Sequence, residues 1–200
     1  MSGITPSQTI GPFAAFSLTP TEPGKKHYEW KQLITNNVVT ADTTGERIRI
    51  EGTMFDGAGK PIDGILFETW QADAQGRYAH PRDGRGTNSS FKGFGRVETD
   101  KEGRFALDTV KPGGVPDPNG TVQAPHILVA IHMRGILTHL YSRIYFSDEA
   151  ANAGDPILKL VPPERRDTLI AQRQAGGNGA AVYKIDFQIQ GDRETVFFDV

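Results

Sequence analysis

Residues 181–190 read Ala-Val-Tyr-Lys-Ile-Asp-Phe-Gln-Ile-Gln. Val182, Lys184, Asp186 and Gln188 share one parity, and Tyr183, Ile185, Phe187 and Ile189 share the other. Side chains of an extended chain point alternately to opposite faces, so this stretch offers one apolar face to a core and one polar face to water. It is the cleanest alternation in the chain and sets the expectation of a β protein. The same period governs residues 46–51, where Ile48 and Ile50 alternate with Arg47, Arg49 and Glu51. Residues 64–70, 104–110, 125–133 and 138–146 read as further strands. Turn-forming runs separate them, among them Asp56-Gly57-Ala58-Gly59 and Lys111-Pro112-Gly113-Gly114-Val115-Pro116.

The intervals between these strands carry the rest of the architecture. Residues 1–45 are an irregular arm, broken by Pro6, Gly11, Pro12, Pro20, Pro23 and Gly24, in which only 29–39 has helical potential. Such an arm is expected to dock on a partner. Residues 72–95 are polar and glycine-rich and read as a surface loop carrying a few selected side chains. Residues 147–173 read as a helical insertion, with Pro163 suited to a first helical turn and Leu169 and Ile170 as its apolar face. There is no internal repeat and no regular strand–helix alternation. The expected fold is therefore mainly β, a mostly antiparallel β-sandwich with long loops, formed by one domain over residues 46–200 behind the arm.

Composition narrows the function. In 200 residues, 22 Lys and Arg nearly balance 24 Asp and Glu, which argues against bulk electrostatic binding to nucleic acid or an anionic membrane. Cysteine is absent, so disulfides, thiolate nucleophiles and Cys-ligated metals are excluded, and a reducing compartment is expected. The longest apolar run, Ile127 to Ile131, is far short of the roughly 18–20 residues that span a bilayer. The amino-terminal residues lack the basic and apolar regions of a secretory signal, so a cytoplasmic location is expected.

Nucleophile-elbow, dinucleotide-binding, phosphate-loop and His-Glu-x-x-His signatures are all missing. The search for chemistry falls on histidine and tyrosine. No two of His27, His80, His126, His132 and His139 stand two residues apart on a strand, the spacing that sets two imidazoles on one face. His126 and His132 share parity, but six residues separate them by roughly 20 Å, too far for one metal. By spacing alone each is an ordinary hydrogen-bonded strand or loop histidine. Tyr78 reads as an amphipathic plug, a substrate contact or a metal ligand. Arg134, at the end of an apolar strand, must reach water or meet an anion, because its guanidinium cannot lose its proton.

Five motifs in order then carry a resemblance. They are Glu68-Thr69-Trp70-Gln71-Ala72-Asp73-Ala74-Gln75-Gly76-Arg77-Tyr78, Phe94-Gly95-Arg96, Gly103-Arg104-Phe105, Thr109-Val110-Lys111-Pro112-Gly113 and Ala124-Pro125-His126-Ile127. With Arg134-Gly135-Ile136-Leu137-Thr138 and Ile144-Tyr145-Phe146, the chain resembles the intradiol ring-cleaving dioxygenases over roughly residues 46–146. Catalytic chains of that family hold a non-haem Fe(III) through two tyrosines and two histidines, hard donors that suit a ferric ion.

Mapped onto this sequence, the resemblance implies a divided ligand set. The first tyrosine corresponds to Tyr78. The second lies in a Lys-Pro-Gly-Pro-Tyr-Pro-Trp pattern, which here reads Lys111-Pro112-Gly113-Gly114-Val115-Pro116-Asp117, so Val115 stands in its place. The histidine pair corresponds to His126 and Leu128. The resemblance thus implies a chain that binds no metal itself. In the protocatechuate-cleaving members, an α chain of this kind pairs with a homologous β chain that binds the Fe(III), in a large α/β hetero-oligomer acting on protocatechuate and O2. There the α chain walls the shared site through residues matched by Thr9, Gly11, Pro12 and Arg134. Two other readings stand beside it: a self-sufficient dioxygenase with ligands drawn from Tyr78, His80, His126 or His139, and a non-catalytic β-sandwich scaffold or binding module.

Overall fold

The computed structural model describes residues 9–11, 14, 17–19, 33–86, 90–117, 119–175 and 179–199. Among these, eleven strands run in chain order as β1 (Arg47–Phe55), β2 (Leu66–Gln71), β3 (Phe94–Glu98), β4 (Arg104–Val110), β5 (Val115–Pro116), β6 (Val122–Gln123), β7 (Ile127–His132), β8 (Leu140–Phe146), β9 (Ile170–Arg173), β10 (Ala181–Lys184) and β11 (Phe187–Gln188). Nine form one sheet in the order β11-β1-β10-β9-β8-β7-β2-β3, with β4 on β1, while β5 and β6 pair as a separate ribbon.

Most pairings are antiparallel, but β1 runs parallel to β10 and to β11, and β8 parallel to β9. The fold is therefore mainly β, as expected, with one mixed sheet in which most neighbours run antiparallel and three pairings do not. Alternation fixes which face a side chain takes but not the direction of the neighbouring strand. The excursion through residues 147–169 carries the chain back across the sheet, so β9 enters beside β8 in the same sense.

The main apolar core collects side chains from both ends of the strand order, including Ile48 and Ile50 of β1, Phe67 of β2, Val97 of β3 and Tyr183 of β10. Phe67 stacks on Phe105 with centroids 4.5 Å apart and meets the Phe187 ring edge-on at 5.5 Å. Tyr183, Ile185 and Phe187 are all buried, as the parity of residues 181–190 requires. Gly52 shares the core-facing parity of Ile48 and Ile50. A Cβ there would lie 1.7 Å from the carbonyl oxygen of Ile185, so only glycine lets the backbones meet.

Two expected helices take other forms. Residues 147–173 hold three short 3₁₀ segments, Ala150–Gly154, Leu158–Leu160 and Pro163–Leu169, followed by β9. Gly154, Pro156 and Pro162 interrupt the run too often for an α-helix to propagate. Pro163 does open a helical turn, and Leu169 is buried in a small second core with Ala124, Tyr145, Leu158, Val161 and Val196. Of the expected helix over 29–39, residues 33–39 lie within the described residues and form bends and one isolated bridge instead of a helix. Asn37 bridges to Asp108, and Val38 N–H donates to the Asp108 carbonyl at 3.0 Å, so this piece covers the open edge of β4. No helix among the described residues is long and apolar enough to cross a membrane.

A charged cluster ties four strand ends together. The Asp148 carboxylate accepts from Arg173 Nη1 at 2.6 Å, Lys111 Nζ at 3.1 Å and Tyr183 Oη at 3.0 Å. Burial alone raises the Asp148 pKa, but these three donors outweigh it and hold the carboxyl at about 2. A folded pKa below the ordinary 3.8 means stability is full above that value and falls as pH drops toward 2. Asp148→Asn is expected to lose about 1–2 kcal/mol in denaturant unfolding at neutral pH and to flatten this acid limb. An unchanged unfolding midpoint across that window would remove Asp148 from the stability account. Gly52→Ala, which forces β1 away from Ile185, is expected to lose about 3 kcal/mol or more in the same assay.

Candidate functional site

The residues singled out by sequence fall into two groups at opposite ends of β7. The first is built around a tight turn. Asp73 Oδ1 accepts the N–H groups of Gln75 and Arg77 at 2.9 and 3.0 Å, and Arg77 returns an ion pair to the Asp73 carboxylate at 2.9 Å. Gly76 within this turn has φ of 74°, and a Cβ on it would lie 2.0 Å from the Gly114 carbonyl. Glycine here therefore presses the turn that leads to Tyr78 against the loop that leads to Val115. The Gly113 N–H seals that contact on the Asp73 carbonyl at 2.9 Å.

Tyr78 donates its backbone N–H to Asp83 Oδ2 at 2.8 Å and stacks its ring on Trp70, centroids 5.8 Å apart and planes 11° from parallel. Burial pushes its phenol pKa up, against a downward pull from the charge of Arg143. Val115 is buried on β5 and pairs with Gln123 of β6. His126 is 2% exposed, shares a 2.8 Å hydrogen bond between Nδ1 and the Ala124 carbonyl, and packs against Tyr145 at 5.8 Å between ring centroids. Burial first and Arg143 second push its pKa down to about 4, so the imidazole is neutral at physiological pH. Leu128 lies on β7 opposite Trp70 of β2 on one side and Arg143 of β8 on the other.

Arg143 links the members of this group and was not flagged by the sequence reading. Its Nη1 donates to Gln123 Oε1 at 2.8 Å and to Tyr145 Oη at 3.3 Å. Tyr145 in turn donates to Asp155 Oδ1 at 3.0 Å. The signal available was a lone cation in the otherwise apolar and hydroxylic run Leu140–Phe146.

These residues do not fit a ferric ion. The four positions Tyr78, Val115, His126 and Leu128 offer one phenol and one imidazole beside two hydrocarbon side chains, with the Arg143 charge acting on both donors. Among the described residues, no group of three His, Asp or Glu is placed to hold a metal. Nor does the rearranged ligand set assemble. His80 Nδ1 is taken up by the Arg82 N–H at 3.1 Å, and His139 lies with His132, ring centroids 5.3 Å apart, at the far end of β7.

The second group sits at that far end. Thr9 Oγ1 donates to the Met133 carbonyl at 3.4 Å and accepts the Gly135 N–H at 3.1 Å, so the arm is pinned to the turn on both sides of Arg134. Gly135 makes the turn with φ of 93°. Arg134 and Gly11 are exposed, whereas Pro12 lies outside the described residues. Beside this turn, Glu68 accepts from Arg96 Nε at 2.7 Å and faces His132 Nε2 at 3.7 Å, which holds its carboxyl below the usual range. Leu128 and Arg134 are six residues apart along the strand and its exit, about 20 Å, so the two groups do not form one site within this chain.

Comparison with known proteins assigns the chain to a family. A family model described as a dioxygenase matches residues 25–191. The chain is 46% identical over 199 residues to the protocatechuate 3,4-dioxygenase alpha chain of Burkholderia cepacia, covering 98% of this chain and 97% of that one. It is also 37% identical over 145 residues to the beta chain of the same organism's enzyme, covering 70% of this chain and 61% of that one. Among solved structures, the dioxygenase domain of a carbohydrate-binding fusion from Streptomyces sp. SirexAA-E aligns with a TM-score of 0.62 at 26% identity, over 94% of this chain and 99% of that one. The chain belongs to the intradiol ring-cleaving dioxygenase family.

Proposed function

We propose that this chain is the α subunit of a heteromeric protocatechuate 3,4-dioxygenase, in which protocatechuate and O2 give 3-carboxy-cis,cis-muconate during cytoplasmic aromatic catabolism. A homologous β chain binds the Fe(III) and carries the ring cleavage. The observation that carries this reading is the split of the site residues. The positions matched to metal ligands are half hydrocarbon in this chain, while Arg134, exposed and flanked by the two hydrogen bonds of Thr9, stands about 20 Å away. Recognition groups that far from their own chain's ligand positions suit a site completed by another chain.

In this reading the arm over residues 1–45 crosses the interface, and Thr9, Gly11, Pro12 and Arg134 wall the β-chain site. The Thr9 hydroxyl fixes the turn geometry by bonding both flanks of Arg134. Fixing the backbone there aims the guanidinium, whose planar fork suits a carboxylate such as the one that distinguishes protocatechuate from catechol. Among the described residues, Gly11 has no neighbour within 4 Å of where a Cβ would stand, which leaves its backbone open to close approach by a partner. Residues 46–200 then form the single β domain on which the arm is mounted.

Two experiments test the proposal. Co-expression with a β chain is expected to give a co-purifying complex with turnover, and omission of this chain to give insoluble or inactive β chain; full β activity without it would reduce this chain to a scaffold. In the complex, Arg134→Ala is expected to raise KM for protocatechuate about 10- to 100-fold, the effect of losing one charged hydrogen bond, with iron content retained. Unchanged kinetics would remove Arg134 from the site.

A further inference from the structure

We propose that the guanidinium of Arg143 is a resident cation that keeps metal away from the positions Tyr78, Val115, His126 and Leu128, independently of the two missing donor side chains. The inference rests on the subunit reading only in taking these four positions as a former ligand set.

A guanidinium stays protonated at any pH the fold survives. Arg143 is placed from β8 directly opposite Leu128, and its Nη1 is held at 2.8 Å by Gln123, the residue paired with Val115. Its other bond goes to Tyr145 Oη at 3.3 Å, on the ring that packs against His126. Three of the four positions therefore touch, or are paired with, residues that Arg143 bonds or faces. The fourth, Tyr78, stacks on Trp70, which pairs with Leu128.

That charge also has no counter-ion at the site. Among the described residues, no carboxylate forms an ion pair with Arg143. The nearest one in the network, Asp155, lies beyond the Tyr145 hydroxyl and already accepts the N–H groups of Ala124, Ile157 and Leu158 at 2.8, 2.9 and 2.7 Å. Both bonds of Arg143 go to neutral acceptors, and at both remaining donors its charge outweighs the opposing carboxylate, Asp83 at Tyr78 and Asp155 at His126. The charge acts on the phenol of Tyr78 and on the imidazole of His126 alike. A di- or trivalent ion entering there meets like charge in a poorly solvated place, where screening is weak.

The test is a ligand graft with and without the arginine, in the full chain co-purified with its β partner. Val115→Tyr with Leu128→His restores two tyrosines and two histidines, and the triple variant adds Arg143→Met, which keeps length and removes charge. Iron bound at these positions is read as metal per chain above the wild-type complex, together with added tyrosinate absorption. The double variant is expected to add less than about a tenth of an equivalent and the triple variant close to one. Should Val115→Tyr prevent folding, Leu128→His with and without Arg143→Met is compared by equilibrium dialysis against Ni(II), with binding expected to be at least about tenfold tighter without the arginine. A double variant that loads as fully as the triple, or equal Ni(II) affinity in the second pair, overturns the role of Arg143 and leaves the ligand positions standing. A folded triple variant that adds no iron overturns both. Co-purification with the β chain scores the subunit reading separately on the same samples.

Discussion

The register of three strands decides what this molecule can do. Leu128 on β7 stands between Trp70 on β2 and Arg143 on β8, and hydrogen-bond ladders on both sides hold it there. A slip of one residue in either pairing would turn Arg143 or Trp70 to the opposite face of the sheet. Ile127, Val129 and Ile131 prevent it, because all three are buried in the main core and a slip would expose them together. The same apolar parity that folds β7 therefore fixes which side chain faces Leu128. An arginine in that place, bonded only to neutral partners, makes the electrostatics of the site a consequence of core packing.

The length of β7 sets the second constraint. His126 just precedes the strand and Arg134 just follows it, so a rigid, paired strand separates the two groups by its own length. No side chain is long enough to close that gap. A chain built this way contributes to chemistry at its Arg134 end only if something else supplies the reacting centre. The pinning of Thr9 to Met133 and Gly135 shows how the arm is recruited to that end. Two hydrogen bonds to backbone groups fix its position without using the Arg134 side chain.

Much of this was legible in the sequence, and the limits have physical causes. Alternation located β1, β2, β4, β7, β8, β10 and β11 because each has one face in the core, as Ile48, Ile50, Tyr183 and Phe187 show by their burial. It missed the parallel pairing of β8 with β9, since burial parity is blind to direction. It took residues 170–173 for helix because Leu169 and Ile170 suit a small apolar face in either form. Residues 33–39 were read by composition alone, whereas the open edge of β4 decides their path. The ligand positions were readable because motifs carry residue identities. Arg143 was not, because a charged residue within a strand is ordinarily taken to face water, and only the pairing places this one opposite Leu128.

The two donors that remain are held by the fold itself. Tyr78 closes over Trp70, and the turn before it is welded to the Gly113–Gly114 loop by the Asp73 carbonyl. His126 fills space against Tyr145 and ties its Nδ1 to Ala124, whose own N–H is bonded to Asp155. Asp155 is fully buried and organises the start of the 3₁₀ segment at Leu158, so His126 and Tyr145 belong to the packing of the second core as much as to any site. Replacing Tyr78 would unstack Trp70, and replacing His126 would leave a buried carbonyl without its partner, a loss of about 1–3 kcal/mol. Val115 and Leu128 have no such ties beyond packing. Hydrocarbon at these two places leaves the network around Asp155 intact, whereas hydrocarbon at His126 would disturb it.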